Sequence, residues 1–449
     1  MENYVSKFGG SSVQNFDVIK RIVADDARRK YIVLSAPGDS DRSKRITQQL
    51  IGLAQQRLNG QSIDQCKDAI DSVVAKYENS FKINSPQTGD RLTERLNQTI
   101  SDPEGYMAAV KAFGEEEAAR LAAPLLDATF VDAKEFMLVT GPFDHATVQP
   151  KAYNRMKRVL LSHSKDNQRY TLPGFYGIHN DGLIATFSFG GSDQTGAEVA
   201  RGINADCYEN FTDSPIRAAD PRIISDAKII AEMTRNELRD LSYGGFSIFH
   251  PQAVKPLHDT SIPLHVRSTK DYPHKGTMVL EERISDPKKP IIGIAYQHGF
   301  CAFSVSKIGL NDEIGILART ANVFYNPKIK RNIPIEFPAS GIDDLSFVAR
   351  QNVFNDGNYL SKIKTELYEA SGSNGSKVKF RENLSCLVVA GKGLVSNEYV
   401  SAYAQIALAD AGVRIIASSK GAERRCLLFA VPQDHAEKAV KGLYERFIA

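Results

Sequence analysis

The residues Tyr31-Ile32-Val33-Leu34-Ser35-Ala36 form a continuous apolar run of strand length, closed by Pro37-Gly38. A half-exposed strand alternates apolar and polar side chains, so a run without alternation suits a parallel strand covered on both faces. Ahead of it, Tyr4-Val5-Ser6-Lys7-Phe8 reads as a first strand that breaks at Gly9-Gly10-Ser11-Ser12. Between the two, Phe16, Ile19, Ile22 and Val23 fall on one face of a helix starting near Asn15. The first 36 residues are thus a strand–helix–strand unit. Its glycine loop lies at the carboxyl end of the first strand, where open α/β sheets bind ligands. A chain that begins this way is committed to a parallel sheet with helices on both faces.

A second stretch repeats the grammar. Phe187-Ser188-Phe189-Gly190-Gly191-Ser192-Asp193 carries the apolar run 183–187 through paired glycines into the helical pattern Ala197, Val199, Ala200. Paired glycines let backbone N–H groups approach an anion, and a helix N-terminus adds about half a positive charge behind them. Ser192 is expected as the N-cap of that helix. Plain turn chemistry would explain Gly190 and Gly191 equally well; the weight comes from the first loop, where Lys7 puts an ammonium beside Gly9-Gly10. Phosphoryl transfer needs positive charge and oriented donors around the transferring group. Two such loops could clamp a nucleoside triphosphate from both sides, although neither is a GxxxxGK[ST] nor a GxGxxG loop. Asp193 suits orienting a lysine or holding Mg²⁺ through phosphate oxygens, and suits equally a helix-start acid.

Other candidates carry alternatives of the same kind. Glu115 opens the triplet Glu115-Glu116-Glu117, which a solvated helix face would also explain. Thr212-Asp213 ends an expected strand where a ribose or base could be met, or makes an Asx turn. Asp220-Pro221-Arg222 reads as a turn with a salt-bridged arginine, and His250-Pro251 as a helix start without chemistry.

Along the rest of the chain, helices are expected over 47–58, 63–82 and 103–126, with strands at 129–131, 170–178, 183–187, 207–211 and 263–267. Helices are also expected near 235–241 and 251–257. Ile284-Ser285-Asp286-Pro287-Lys288-Lys289-Pro290 is polar and proline-bounded, and reads as a domain boundary. Beyond it, strands at 291–296, 301–307, 333–337 and 345–350 surround a helix at 313–323. A second pass at 384–391, 399–411, 413–417, 426–431 and 435–447 follows. The two passes read as two βαββαβ units, a type of module that senses small ligands.

Composition limits the function classes. A chain of 449 residues suits two or three domains. Lys plus Arg number 56 against 53 Asp plus Glu, and a net charge of +3 argues for neither nucleic acid nor membrane as a partner. Arg28-Arg29-Lys30 and the basic cluster 328–331 are expected as solvated faces. Cys66, Cys207, Cys301, Cys386 and Cys426 show no CxxC spacing, so neither a disulfide framework nor a zinc site is indicated. No apolar run reaches the roughly 18 residues of a membrane span. The expectation is a soluble cytoplasmic protein.

Taken together and in order, these motifs resemble the aspartate kinases of the amino-acid kinase family. Lys7-Phe8-Gly9-Gly10-Ser11-Ser12 is similar to that family's opening KFGG[TS]S, and Ser35-Ala36-Pro37-Gly38 with Thr47 to its second loop. Gly114-Glu115, Gly190-Gly191-Ser192-Asp193, Thr212-Asp213, Asp220-Pro221-Arg222 and Ser242-Tyr243…His250 follow in the family's order. Leu310-Asn311-Asp312-Glu313-Ile314-Gly315 and Ser340-Gly341-Ile342-Asp343-Asp344-Leu345-Ser346 resemble its paired regulatory ACT modules.

The resemblance implies an α/β kinase domain over 1–284, built on a mostly parallel sheet, then two α+β, ferredoxin-like ACT modules over 291–370 and 380–449. It implies transfer of the ATP γ-phosphate to the β-carboxylate of L-aspartate, giving 4-phospho-L-aspartate, at the head of lysine, threonine and methionine biosynthesis. Lys7 would stabilise the transferring group and Asp193 would organise the charges. Gly9, Gly10 and Ser11 would cradle phosphates with Gly190 and Gly191. Thr47, Glu115 and Ser192 would hold aspartate, Glu115 facing its α-ammonium, and Thr212, Asp213 and Arg222 would line the nucleotide. Mg²⁺ is implied by the charge of the phosphates, an amino-acid effector and a homo-oligomer by the ACT region; no metal ligand of the chain is implied.

Departures from the pattern are also visible. Phe189 stands where the family carries an Arg for the substrate's α-carboxylate, Asp39 and Ser247 stand where lysines are common, and the loop between Asp213 and Asp220 is one residue short. These leave open a catalytically weak homologue that senses amino acids, or a kinase for another carboxylic acid.

Overall fold

The computed structural model describes residues 2–162, 168–188, 190–246, 255–326, 331–421 and 425–449. Phe189, Ser247 and the His250-Pro251 pair lie outside the described residues. The chain forms two compact units. The first comprises Met1–Ile216, Ala231–Arg235 and Ser247–Arg283; the second comprises Arg217–Ile230, Asn236–Phe246 and Ile284–Ala449. The second unit therefore takes two segments from within 1–284.

Eight strands make the sheet of the first unit: Tyr4–Phe8 (β1), Arg29–Leu34 (β2), Ala128–Phe130 (β3), Arg169–Pro173 (β4), Cys207–Thr212 (β5), Glu232–Thr234 (β6), Leu264–Ser268 (β7) and Thr277–Leu280 (β8). Their order is β6-β8-β7-β5-β1-β2-β4-β3, and every neighbouring pair is parallel except β7 with β8. β2 is buried along its whole length, as unbroken apolarity requires.

The helices of this unit that position the site are Gly10–Val13 (α1), Phe16–Ala24 (α2), Ile46–Leu58 (α3), Lys67–Phe81 (α4), Pro86–Leu96 (α5), Pro103–Leu125 (α6) and Gly191–Ile203 (α7). Phe16, Ile19, Ile22 and Val23 of α2 share one core with side chains of α3 to α6 and with Phe8, Ile32, Leu34 and Phe211 of the sheet. α7 packs against β1 and β5. The expected single strand over 170–178 is broken at Pro173-Gly174, and Tyr176–Ile178 pairs instead with Ile184–Thr186 in a separate antiparallel hairpin.

Arg29 and Lys30 are buried, which corrects their reading as a solvated face. The Arg29 guanidinium donates to both oxygens of Glu209, at 2.7 and 3.0 Å, and Arg267 donates to the same carboxylate at 3.2 Å. Ser6, the residue between them on β1, is small enough to let Arg29 reach across, and its hydroxyl donates to Glu209 at 2.8 Å. Burial disfavours the Glu209 anion, but these partners outweigh it and hold its pKa below the ordinary value.

The second unit holds one six-stranded sheet built from Gly293–Ser306 (β9), Ile335–Ser340 (β10), Asp344–Arg350 (β11), Lys377–Ala390 (β12), Ala417–Ser419 (β13) and Cys426–Pro432 (β14), in the order β10-β11-β9-β12-β14-β13. β9 and β12 pair antiparallel over most of their length. The two expected repeats therefore meet in a single continuous sheet. Ile316–Asn322, Gly357–Ala370, Tyr399–Asp410 and Ala436–Phe447 are its longer helices. Arg331, grouped above with a solvated basic cluster, is also buried, paired with Glu366 and donating to the Val323 carbonyl at 2.6 Å. Among the described residues no helix is long and apolar enough to cross a membrane.

Candidate active site

Lys7 and Asn210 are cross-strand neighbours on β1 and β5, so their side chains leave the same face of the sheet. α7 lies on that face and begins at the carboxyl end of the strands. Its N-cap is Gly190, at φ 82°, a left-handed conformation that glycine adopts without strain. The expected cap, Ser192, sits inside the first turn and is released for another partner. One residue on, Asp193 Oδ1 lies 2.5 Å from Lys7 Nζ and accepts a hydrogen bond from Asn210 Nδ2 at 2.8 Å. Tyr208 OH donates to the Asp193 carbonyl at 3.0 Å and accepts from Asn210 Nδ2 at 3.2 Å. The ammonium of Lys7 is thus held by an aspartate that β5 fixes at two points, Asn210 at the carboxylate and Tyr208 at the backbone carbonyl.

The second component comes from α6. Glu115, Glu116 and Glu117 are all buried, not solvated, because α6 is enclosed by neighbouring helices and the sheet. Glu116 pairs with Arg95 at 2.7 Å and Arg120 at 3.1 Å. Glu117 accepts from Arg91 and, at 2.5 Å, from the Thr88 hydroxyl. Glu115 has no ion pair among the described residues. Its Oε1 accepts from the Ser192 hydroxyl at 2.6 Å, while Oε2 is buried without a hydrogen-bond partner. Burial pushes its pKa up to about 8, against the opposing pull of Ser192, of Lys7 and, more weakly, of the Ala36 backbone N–H. A carboxyl group that is expensive to ionise and holds a vacant oxygen is a candidate for a cation from outside the chain.

The glycine loop after β1 closes the other side. A Cβ on Gly10 would lie 2.8 Å from the Ala36 carbonyl, and one on Gly38 2.8 Å from the Gly10 carbon, so the two loops touch through bare backbone. Gly9 donates its N–H to the Phe211 carbonyl at 3.2 Å, which removes that group from the expected phosphate cradle. Gly10 and Ser11 are the first residues of α1, where N–H groups have no intrahelical acceptor. Gly191 and Ser192 hold the same place on α7. Thr47 is the second residue of α3 and half-buried. Its neighbour Ile46 would contact a Cβ on Gly114, the residue before Glu115.

Thr212 is half-buried and Asp213 exposed at the end of β5, and their side chains are hydrogen-bonded at 3.3 Å. Arg222 belongs to the second unit, where its guanidinium pairs with Asp220 at 2.6 Å, as a turn with a salt-bridged arginine. Among the described residues no cluster of His, Cys, Asp and Glu could hold a metal by itself. The donor set suits a hard cation that arrives on phosphate oxygens.

Residues 3–268 match the profile of the amino acid kinase family, and residues 387–447 that of the ACT domain. Aspartokinase 3 of Bacillus subtilis is 32% identical over 467 residues, covering 99% of this chain and 98% of its own. The chain belongs to the aspartokinases of the amino acid kinase family. The crystal structure of Clostridium acetobutylicum aspartate kinase superposes with a TM-score of 0.84 at 28% identity, covering all of both chains. Escherichia coli aspartokinase III, solved in complex with aspartate and ADP, shares the fold at a TM-score of 0.73 and 23% identity, again covering both chains in full.

Two residues that touch this constellation escape the sequence reading. Gly174 faces it so closely that a Cβ there would lie 2.5 Å from Glu115 Oε2 and 2.9 Å from Ser192 Cα. The Pro173-Gly174 pair was a turn signal inside an apparent strand, and marked the position. Asn210, the other, reads as a polar interruption of β5, and nothing local tells which side chain it meets.

Proposed function

We propose that this protein phosphorylates the β-carboxylate of L-aspartate with ATP, giving 4-phospho-L-aspartate and ADP. The observation that carries the reading is the pairing of Lys7 with Asp193 beside a buried, cation-free Glu115, all at the carboxyl ends of parallel strands. An amino-acid substrate brings its own ammonium, and that ammonium supplies the partner Glu115 lacks. The acceptor is a carboxylate, already ionised near neutral pH, so no general base is required. One of its oxygens bonds to the γ-phosphorus while the bond to the bridging oxygen of ADP breaks. Lys7 stabilises the charge on the transferring group, and Asp193 keeps the ammonium aimed. The N-terminal amides of α1 and α7, which have no intrahelical acceptor, bind the remaining phosphate oxygens. Mg²⁺, carried on the nucleotide, offsets the phosphate charge.

The finer assignments belong to the same reading. Thr47 and Ser192 hold aspartate, Gly10, Ser11, Gly190 and Gly191 the phosphates, and Thr212 and Asp213 the nucleoside. The product enters lysine, threonine and methionine biosynthesis, and an amino acid such as lysine or threonine regulates the enzyme through the ACT region. Ile308, Ile314 and Ile342, each more than three-quarters exposed there, offer apolar surface for a homo-oligomer. Trapping the acyl phosphate with hydroxylamine tests the central claim: aspartate- and ATP-dependent hydroxamate is expected, and Lys7→Ala abolishes it. Absence of hydroxamate at millimolar aspartate would favour a sensor without catalysis.

A further inference from the structure

We propose that Asn210 is a positioning residue for phosphoryl transfer, holding the Asp193 carboxylate in place while Lys7 turns from it to the transferring group. The inference rests on the kinase reading above. Lys7 Nζ and Asn210 Nδ2 converge on one oxygen, Asp193 Oδ1, from adjacent strands in register. Asn210 is only 2% exposed, and a buried amide is found where its hydrogens have partners. Tyr208, two residues earlier on the same face, supplies the second anchor through the Asp193 carbonyl.

The arrangement has a consequence for the reaction. If Lys7 were the only donor to Asp193, the carboxylate would swing after the ammonium, or the ammonium would stay behind. A neutral donor at Asn210 keeps the carboxylate satisfied in both states and adds no charge to compete with Lys7 for phosphate. A lysine there would compete; an aspartate would hold Lys7 back. The titratable groups facing this point are Lys7 on β1, Asp193 on α7, Tyr208 on β5 and Glu115 on α6.

Steady-state hydroxamate assays on the full-length chain, Asn210→Ala and Asn210→Asp test this. Asn210→Ala should lower kcat roughly ten- to hundredfold while the KM values for aspartate and ATP stay within about threefold. Asn210→Asp places a second carboxylate beside Asp193. Its activity should be low near pH 8 and recover toward pH 6 as the pair takes up a shared proton, a trend absent from the parent. Parental kcat in Asn210→Ala, a loss carried by KM alone, or a pH profile of Asn210→Asp parallel to the parent's would overturn the assignment. If Asn210→Ala fails to fold, the pH profile of the near-isosteric Asn210→Asp decides alone. A parent without turnover fails the kinase reading and takes this inference with it.

Discussion

Replacing Glu115 by glutamine isolates the cost of burying this carboxylate from everything else the site does. Burial raises its pKa from 4.5 to about 8. Between those values the folded chain keeps a proton that the unfolded chain has released. The native state therefore binds more protons, and stability falls as pH rises through the window, beginning near 4.5 and complete above about 8. At about 1.4 kcal/mol per pKa unit, the parent should lose about 4 kcal/mol through this group between about pH 5 and pH 9. Glutamine keeps the shape and an acceptor for Ser192, and has no proton to lose. Denaturant unfolding of parent and Glu115→Gln, followed by far-UV circular dichroism across that range, gives the difference in which other titrating groups cancel. The variant should gain about 4 kcal/mol on the parent over the range while losing affinity for aspartate. A difference independent of pH, or one that moves against the variant, refutes the buried neutral acid.

The same carboxyl should release protons on ligand binding. At pH 7 it is about nine-tenths protonated, so capture of an ammonium should release about 0.9 proton per site. Titration calorimetry of aspartate in buffers of different ionisation enthalpy measures this, and Glu115→Gln should abolish the buffer dependence. Gly174→Ala drives a methyl into Glu115 Oε2 and the α7 turn; a loss of about 1–3 kcal/mol in unfolding free energy and a steep rise in KM for aspartate are expected. Glu209→Gln leaves the buried Arg29 and the half-buried Arg267 without a counter-charge, and should cost about 3–5 kcal/mol with little change in KM.

The parts of this molecule that could be read locally were those whose cause is local. Unbroken apolarity marked β2 as buried, and the glycine pairs at 9–10 and 190–191 marked the two loops that do converge with Lys7 and Asp193. The errors share another origin, since their cause lies far along the chain. Arg29 looks solvated until Glu209 is brought across Ser6, a pairing spanning 180 residues. Ser192 looks like a cap until Glu115 arrives to claim its hydroxyl. The strands expected at 291–296 and 301–307 are one strand, because Gly299, at φ 86°, makes an irregularity in the ladder with β12 instead of ending it. The helix Pro86–Leu96 was overlooked because its buried face includes Thr88 and Arg95, polar residues whose partners, Glu117 and Glu116, lie on α6.

Those partners also explain why one acid of three belongs to the site. Consecutive residues on a helix point about 100° apart, and α6 is enclosed on every side at this level, so each of the three carboxylates must find its own solution. Glu117 turns toward α5 and meets Arg91; Glu116 meets Arg95, Lys134 and Arg120, which outweigh burial and hold its pKa below the ordinary value. Glu115 turns toward the carboxyl ends of the strands, where the nearest cation, Lys7, is already committed to Asp193. A fold under selection for stability alone would gain by placing glutamine or an apolar residue there. The carboxyl, with one oxygen satisfied by Ser192 and the other vacant, is costly to ionise in the empty protein, a cost that a cation entering the site would offset. The triplet thus divides in two: two acids neutralised by the chain, and a third whose counter-charge, on the kinase reading proposed above, is the ammonium of the substrate.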